Sequence, residues 1–219
     1  MTVTTEPLGA ARVVQWDRRA KRNAWTRATI EGIAGALDAD PADWAATIAA
    51  FQRVTRSALA CPLPVLAAID GVCIGGALEF AASCDARIAG ERARFGTPEV
   101  GIGLVATNAG TLLLPEVLGE TAARDLLLTG ALRDAAWAKE HGFVSDVVPA
   151  GGLEERVAAW AAGFERTSRA AVARTKALLN ARLGDLVEAA MAREEQACVE
   201  LFAGPDAPGA LRAFARRRG

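Results

Sequence analysis

An apolar run at Pro64–Ile69 (PVLAAI) feeds into Asp70–Gly76 (DGVCIGG), and that turn feeds a second apolar stretch, Ala77–Cys84, which carries one acid, Glu79. Val65–Ile69 has the length and composition of a buried strand. Ala77–Cys84 reads as a helix, so Gly71, Gly75 and Gly76 punctuate a strand-to-helix turn. The first N–H groups of a helix have no partner inside it and point outward. They form a site for an anion, or for an oxygen that gains negative charge during a reaction. Adjacent glycines let a ligand approach the backbone closely. A tight turn without any ligand fits the same G-x-x-x-G-G spacing equally well.

Glu79 follows Gly76 by three residues, among Ala77, Leu78, Phe80, Ala81 and Ala82. A lone acid in such a run is either a functional carboxylate or a partnered charge at a helix start. Glu99 comes 20 residues later, after Gly96-Thr97-Pro98. Two carboxylates beside one anion site suit the addition of water to a polarised double bond. One takes a proton from water and the other gives a proton to carbon. Close acids also push each other's pKa values apart, which separates the two roles.

Several other chemistries are disfavoured. His141 is the single histidine in 219 residues, and the cysteines at 61, 73, 84 and 198 form no C-x-x-C pair. No structural zinc set or other metal site is expected, and Ser-His-Asp or Cys-His catalysis has no support. His141 precedes Gly142 and reads as a helix C-terminal residue. Gly101-Ile102-Gly103-Leu104-Val105-Ala106 has the glycine spacing of a dinucleotide loop but lacks a preceding strand. A net charge of -1 argues against a generic nucleic-acid or anionic-membrane binder. Scattered cysteines read as reduced thiols, and the N-terminus MTVTTEPLGA has neither a basic start nor an apolar run. Pro64–Ile69 and Gly71–Leu78 are too short to span a membrane. A soluble, cytoplasmic protein is expected.

Strands are predicted at Ala11–Trp16, Ala86–Ala89, Ala93–Phe95 and Val144–Val148, and helices at Ala45–Cys61, Ala109–Leu118, Thr121–Leu128 and Asp134–His141. Thr26 reads as an N-cap for a helix through Leu37, and Asp38–Asp43 (DADPAD) as the break after it. From Leu153 to Phe214 the chain is mostly helical, with breaks at Gly184 and Ala203–Pro208. Apolar stripes at Val157, Trp160, Ala161 and Phe164, and at Leu178, Leu179 and Leu183, are candidate oligomer surfaces.

A set of short strings stands in fixed order along the chain. They are Lys21-Arg22-Asn23-Ala24, Pro64 to Gly71 (PVLAAIDG), Gly75-Gly76-Ala77-Leu78-Glu79, Cys84-Asp85, Ala93 to Glu99 (ARFGTPE), Leu127-Leu128-Thr129-Gly130, Gly142-Phe143-Val144 and Leu211-Arg212-Ala213-Phe214. The set resembles the enoyl-CoA hydratase/isomerase (crotonase) superfamily over most of the chain. The resemblance implies an α/β fold: a crotonase-like spiral of ββα units over residues 1–150, then a C-terminal helical trimerisation region over 151–219. It implies an acyl-CoA thioester substrate, with coenzyme A part of the substrate and no separate cofactor, and a homotrimer or dimer of trimers. Carried over by position, Gly76 N–H becomes an oxyanion donor beside Gly75, and Glu79 and Glu99 become the two catalytic acids of a 2-enoyl-CoA hydratase. Lys21, Arg22 and Ala24 fall where the family meets coenzyme A, Gly110 where it lines the acyl site, and Phe214 and Arg217 where it reaches a neighbour's coenzyme A.

Two departures stand out. The family carries a central strand and a Gly/Ala-rich loop between its first two helices, and that loop supplies the other oxyanion N–H. Here Leu37 runs through DADPADW directly into the next helix. One lost donor typically costs roughly 10²–10³ in rate, and a lost strand predicts unpaired ladder groups. The alternative reading is therefore a degenerate crotonase-fold protein that binds acyl-CoA, or a regulatory partner, without hydratase activity. After Glu99, where the family has a glycine-rich string, Val105-Ala106-Thr107-Asn108-Ala109-Gly110-Thr111-Leu112-Leu113 stands and only Gly110 and Thr111 match, which predicts an altered acyl pocket.

Overall fold

The structure is a computed structural model that describes residues 2–8, 11–17, 41–205, 207 and 209, with side chains from residue 45 onward. Two strands, β1 (Thr2–Leu8) and β2 (Ala11–Asp17), form an antiparallel hairpin. Helix α1 (Pro41–Ala60) follows and leads to β3 (Val65–Ile69). The chain then sends β4 (Val72–Ile74) to a second sheet and enters α2 (Gly76–Ser83). The cycle repeats with β5 (Ala86–Gly90), β6 (Arg94–Gly96), a 3-10 turn (Pro98–Ile102), α3 (Gly110–Leu118) and α4 (Glu120–Thr129). It continues through β7 (Leu132–Asp134), α5 (Ala135–Glu140) and β8 (Asp146–Val148). Helices α6 (Leu153–Ala162), α7 (Arg169–Ala181) and α8 (Gly184–Ala203) complete the described chain. One sheet has the order β1-β2-β3-β5-β8 and the other β4-β6-β7. The β3–β4–α2 and β5–β6–α3 turns each give one strand to each sheet before the helix, as expected of a ββα spiral.

All five residues of β3 are buried, and their sides alternate. Leu66 and Ala68 face α6 with Ile88, Val148 and Val157. Val65, Ala67 and Ile69 face the main core with Leu78, Phe80, Phe95 and Phe143. The expectation of unpaired ladder groups is corrected here. β2 closes directly onto β3 in parallel, Arg12 opposite Val65 and Gln15 opposite Ala68, while β5 pairs the other edge.

Other readings are also revised. Pro41–Asp43 is not a break but the start of α1, since proline at a first helical position loses no hydrogen bond. Asp70–Gly76 is not all turn, because Val72–Ile74 pairs in parallel with β6. Within the stripe at Val157, Trp160, Ala161 and Phe164, Val157 and Trp160 pack on this chain's own sheet. Leu183 is likewise buried, whereas Leu178 and Leu179 remain 76% and 63% exposed. Thr26 to Leu37 lies outside the described residues. Among the described residues, no helix is long and apolar enough to cross a membrane.

Candidate active site

Gly75 adopts φ 59° and ψ -136°, a region open essentially to glycine. Its N–H donates to Gly96 O at 2.9 Å, which ties the start of α2 to the end of β6. Its own carbonyl accepts from Leu78 and Glu79 N–H at 2.8 and 3.0 Å. The N–H groups of Gly76 and Ala77, first in the helix, have no acceptor in their own helix.

One turn into α2, Glu79 is only 1% exposed. Its Oε2 accepts the N–H of Thr107 at 3.0 Å and of Asn108 at 2.7 Å. Charge-assisted bonds of this kind contribute about 1.5–3 kcal/mol each. Gly110 packs against the same side chain. A Cβ there would lie 2.8 Å from Glu79 Cγ and 3.0 Å from Cδ, so glycine is required by close approach. The sequence placed Gly110 on the acyl group, and the structure places it against the carboxylate.

Glu99 sits in the first turn of the 3-10 segment that β6 delivers. Its Oε2 is buried and takes no hydrogen bond. Burial pushes its carboxyl up to about 7, against a small opposing pull from its own N–H. Burial also pushes Glu79 well above the usual carboxylate range, and the charges of Glu99 and Glu194 add to this, while the Asn108 and Thr107 N–H groups oppose it. The structure thus brings Gly75, Gly76, Glu79, Glu99 and Gly110 into one neighbourhood. Lys21, Arg22, Ala24, Phe214 and Arg217 lie outside the described residues.

Sequence reasoning missed Glu194 and Gln52. Glu194 on α8 is 4% exposed and accepts from Ala109 N–H and Thr111 N–H, each at 2.7 Å. Gln52 on α1 donates from Nε2 to Thr107 O at 3.0 Å. A signal was available for Glu194. It falls on the helical stripe Val187, Met191, Cys198, Phe202, where every other member is apolar and buried.

Two readings close at this point. His141 is the C-cap of α5, with its ring stacked on Trp137 at 4.3 Å. Gly101 and Gly103 belong to the 3-10 segment and its end, not to a strand-to-helix loop, so no dinucleotide cradle forms there.

The fold and site define a spiral α/β protein with a glycine-led helix N-terminus beside a buried acid, Glu79, and a partly buried one, Glu99. The description of the enoyl-CoA hydratase/isomerase family matches residues 28–219, and the chain belongs to that family. It is 35% identical over 167 residues to a crotonyl-CoA hydratase of Syntrophomonas wolfei, covering 76% of this chain and 64% of the relative. It is 35% identical over 155 residues to a short-chain-enoyl-CoA hydratase of Clostridium acetobutylicum, covering 71% of this chain and 59% of the relative. The chain spans less than two thirds of these curated relatives. A solved enoyl-CoA hydratase from Mycobacterium avium subsp. paratuberculosis superposes with a TM-score of 0.81 at 26% identity, covering 98% of this chain and 96% of that one.

Proposed function

We propose that the chain is a hydro-lyase that adds water to a 2-enoyl-CoA thioester. The observation that carries this is the unequal treatment of two acids beside one helix start, one buried and one partly buried. Glu79 Oε2 has two N–H donors, which favour its charged form, and Glu99 Oε2 has none. Burial and the neighbouring acids raise Glu79, so the pair carries a proton; within the singly protonated pair the two N–H bonds favour placing the charge on Glu79 and the proton on the unbonded Glu99. In this reading Gly76 N–H holds the thioester oxygen as it gains charge. Glu79 takes a proton from water, whose oxygen bonds to the β-carbon. Glu99 then gives its proton to the α-carbon. The reaction needs no metal or separate cofactor, since coenzyme A arrives with the substrate.

The remaining assignments are proposals on the same footing. Lys21, Arg22 and Ala24 hold coenzyme A, and Phe214 and Arg217 reach that of a neighbour in a homotrimer or dimer of trimers. Residues 1–150 act as the core and 151–219 as the assembling region, in a reducing cytoplasmic setting. Only three residues separate Leu37 from α1, too few for the family's other oxyanion loop. Turnover is accordingly expected to fall roughly 10²–10³-fold below a two-donor relative. The same gap favours a second reading, an acyl-CoA binder without turnover. Crotonyl-CoA hydration by the protein and by Glu79→Gln and Glu99→Gln decides between them. Activity lost in both variants supports the lyase; binding without hydration in all three proteins supports the binder.

A further inference from the structure

Four N–H groups of the turn from Thr107 to Thr111 are shared between two buried carboxylates. Thr107 and Asn108 donate to Glu79, as described. Ala109 and Thr111 donate to Glu194, and the Thr111 hydroxyl adds a third bond to it at 2.6 Å. This turn is strained. Ala109 has φ 59° and is the only non-glycine residue with positive φ among the described residues. Such a conformation persists when its surroundings over-determine it. Glu194 grips it from α8, and Gln52 fixes Thr107 O from α1 while also donating to Met191 O of α8 at 3.2 Å. The other buried residues on that face of α8 are apolar, so packing alone does not call for an acid at 194.

We propose that Glu194 is a positioning residue for the hydratase reaction. From the C-terminal helix it holds the turn whose N–H groups aim Glu79, and its charge stands behind that acid. The proposal rests on the lyase reading above. The charged groups that face Glu79 are Glu99 from the 3-10 turn and Glu194 from α8, and both raise it. Glu194 is itself pushed up by burial and held down by its bonds to the turn.

The test is Glu194→Gln, which removes the charge but keeps the shape. The variant's amide also meets the Ala109 N–H where the native residue offers a second carboxylate oxygen. Glu79 then titrates at lower pH, so the acid limb of kcat moves down by ~0.5–1 pH unit, a size in keeping with loss of one like charge nearby. Misaimed, Glu79 turns over about 10-fold more slowly with KM within about 2-fold. Glu194→Asp keeps the charge, so its acid limb stays near the native position even where its rate falls. Thr111→Val is the milder variant. Loss of the hydroxyl raises Glu194, leaves it less charged, and moves Glu79 the same way by less.

A purely structural role lowers folded yield in these variants and leaves the pH profile in place. That outcome overturns the proposal, as does a limb that moves equally in the Gln and Asp variants. If the native protein shows no hydration, the lyase reading fails on its own. Carbon-13 NMR titration of the Glu79 carboxyl, assigned with Glu79→Gln, then decides the matter. An unchanged midpoint in Glu194→Gln and Thr111→Val refutes the coupling.

Discussion

At the scale of single residues, the site is a problem in placing charge. Gly110 exists for Glu79: an added methyl meets the middle of that side chain, which cannot swing away as a flexible tip can. Gly110→Ala is expected to keep the fold and lower kcat about 10–100-fold by moving the carboxylate, because misplacement on the order of 1 Å carries that cost. Steady-state kinetics beside a melting curve separates the two effects. Glu99 gives a prediction of opposite character. Its carboxyl titrates near 7 when folded against 4.5 as the ordinary value, so the folded chain holds its proton more tightly. Stability from this group is complete below pH ~4.5 and is lost as pH rises through ~7. Glu99→Gln is therefore expected to be more stable than the native chain at pH 8, by about 1–3 kcal/mol, with the gap closing near pH 4. Urea unfolding at the two pH values checks it; a gap that widens toward acid contradicts it.

At the scale of elements, the local part of the site was readable and the remote part was not. The strand β3, its glycine turn, the helix α2 and the position of Glu79 depend on neighbours within about a dozen residues, so apolar runs and glycines expose them. The grip of Glu194 on Ala109 spans 85 residues of chain, and that of Gln52 on Thr107 spans 55, so no local pattern announces either. β7 was also missed, because Leu132–Asp134 has no strand-like composition and forms by pairing with the edge of β6. Docking of α7 is another long-range device. Lys176 Nζ donates to Ala58 O and Leu63 O at 3.1 Å and to Asp85 Oδ2 at 2.6 Å, and that same oxygen accepts Val65 N–H. One ammonium thus pins the end of α1 and the start of β3 to α7. Lys176→Met keeps the stem and removes the partner of two carbonyls and a carboxylate. It is expected to cost about 1–3 kcal/mol in unfolding free energy, because the two carbonyls lose their donor while Asp85, with its side chain 29% exposed, keeps access to water.

At the scale of the whole molecule, among the described residues no strand stands between β2 and β3, where the family resemblance implies one. β2 takes β3 as its parallel neighbour, so the sheet stays continuous, and the start of α2 is the oxyanion site in the proposed reaction. Assembly is the other question at this scale. Val157 and Trp160 are used inside the chain, whereas Leu178 and Leu179 stay outside on α7. If the proposed trimer forms, Leu178→Glu with Leu179→Glu is expected to dissociate it to folded monomers, read by light scattering; an unchanged mass removes α7 from the interface. The central claim is that Glu79 and Glu99 make a working hydratase site on this shortened frame. Hydration of crotonyl-CoA by the native chain beside Glu99→Gln tests it most directly. The account predicts a rate above background in the native protein that collapses in the variant. Equal rates in the two proteins contradict it.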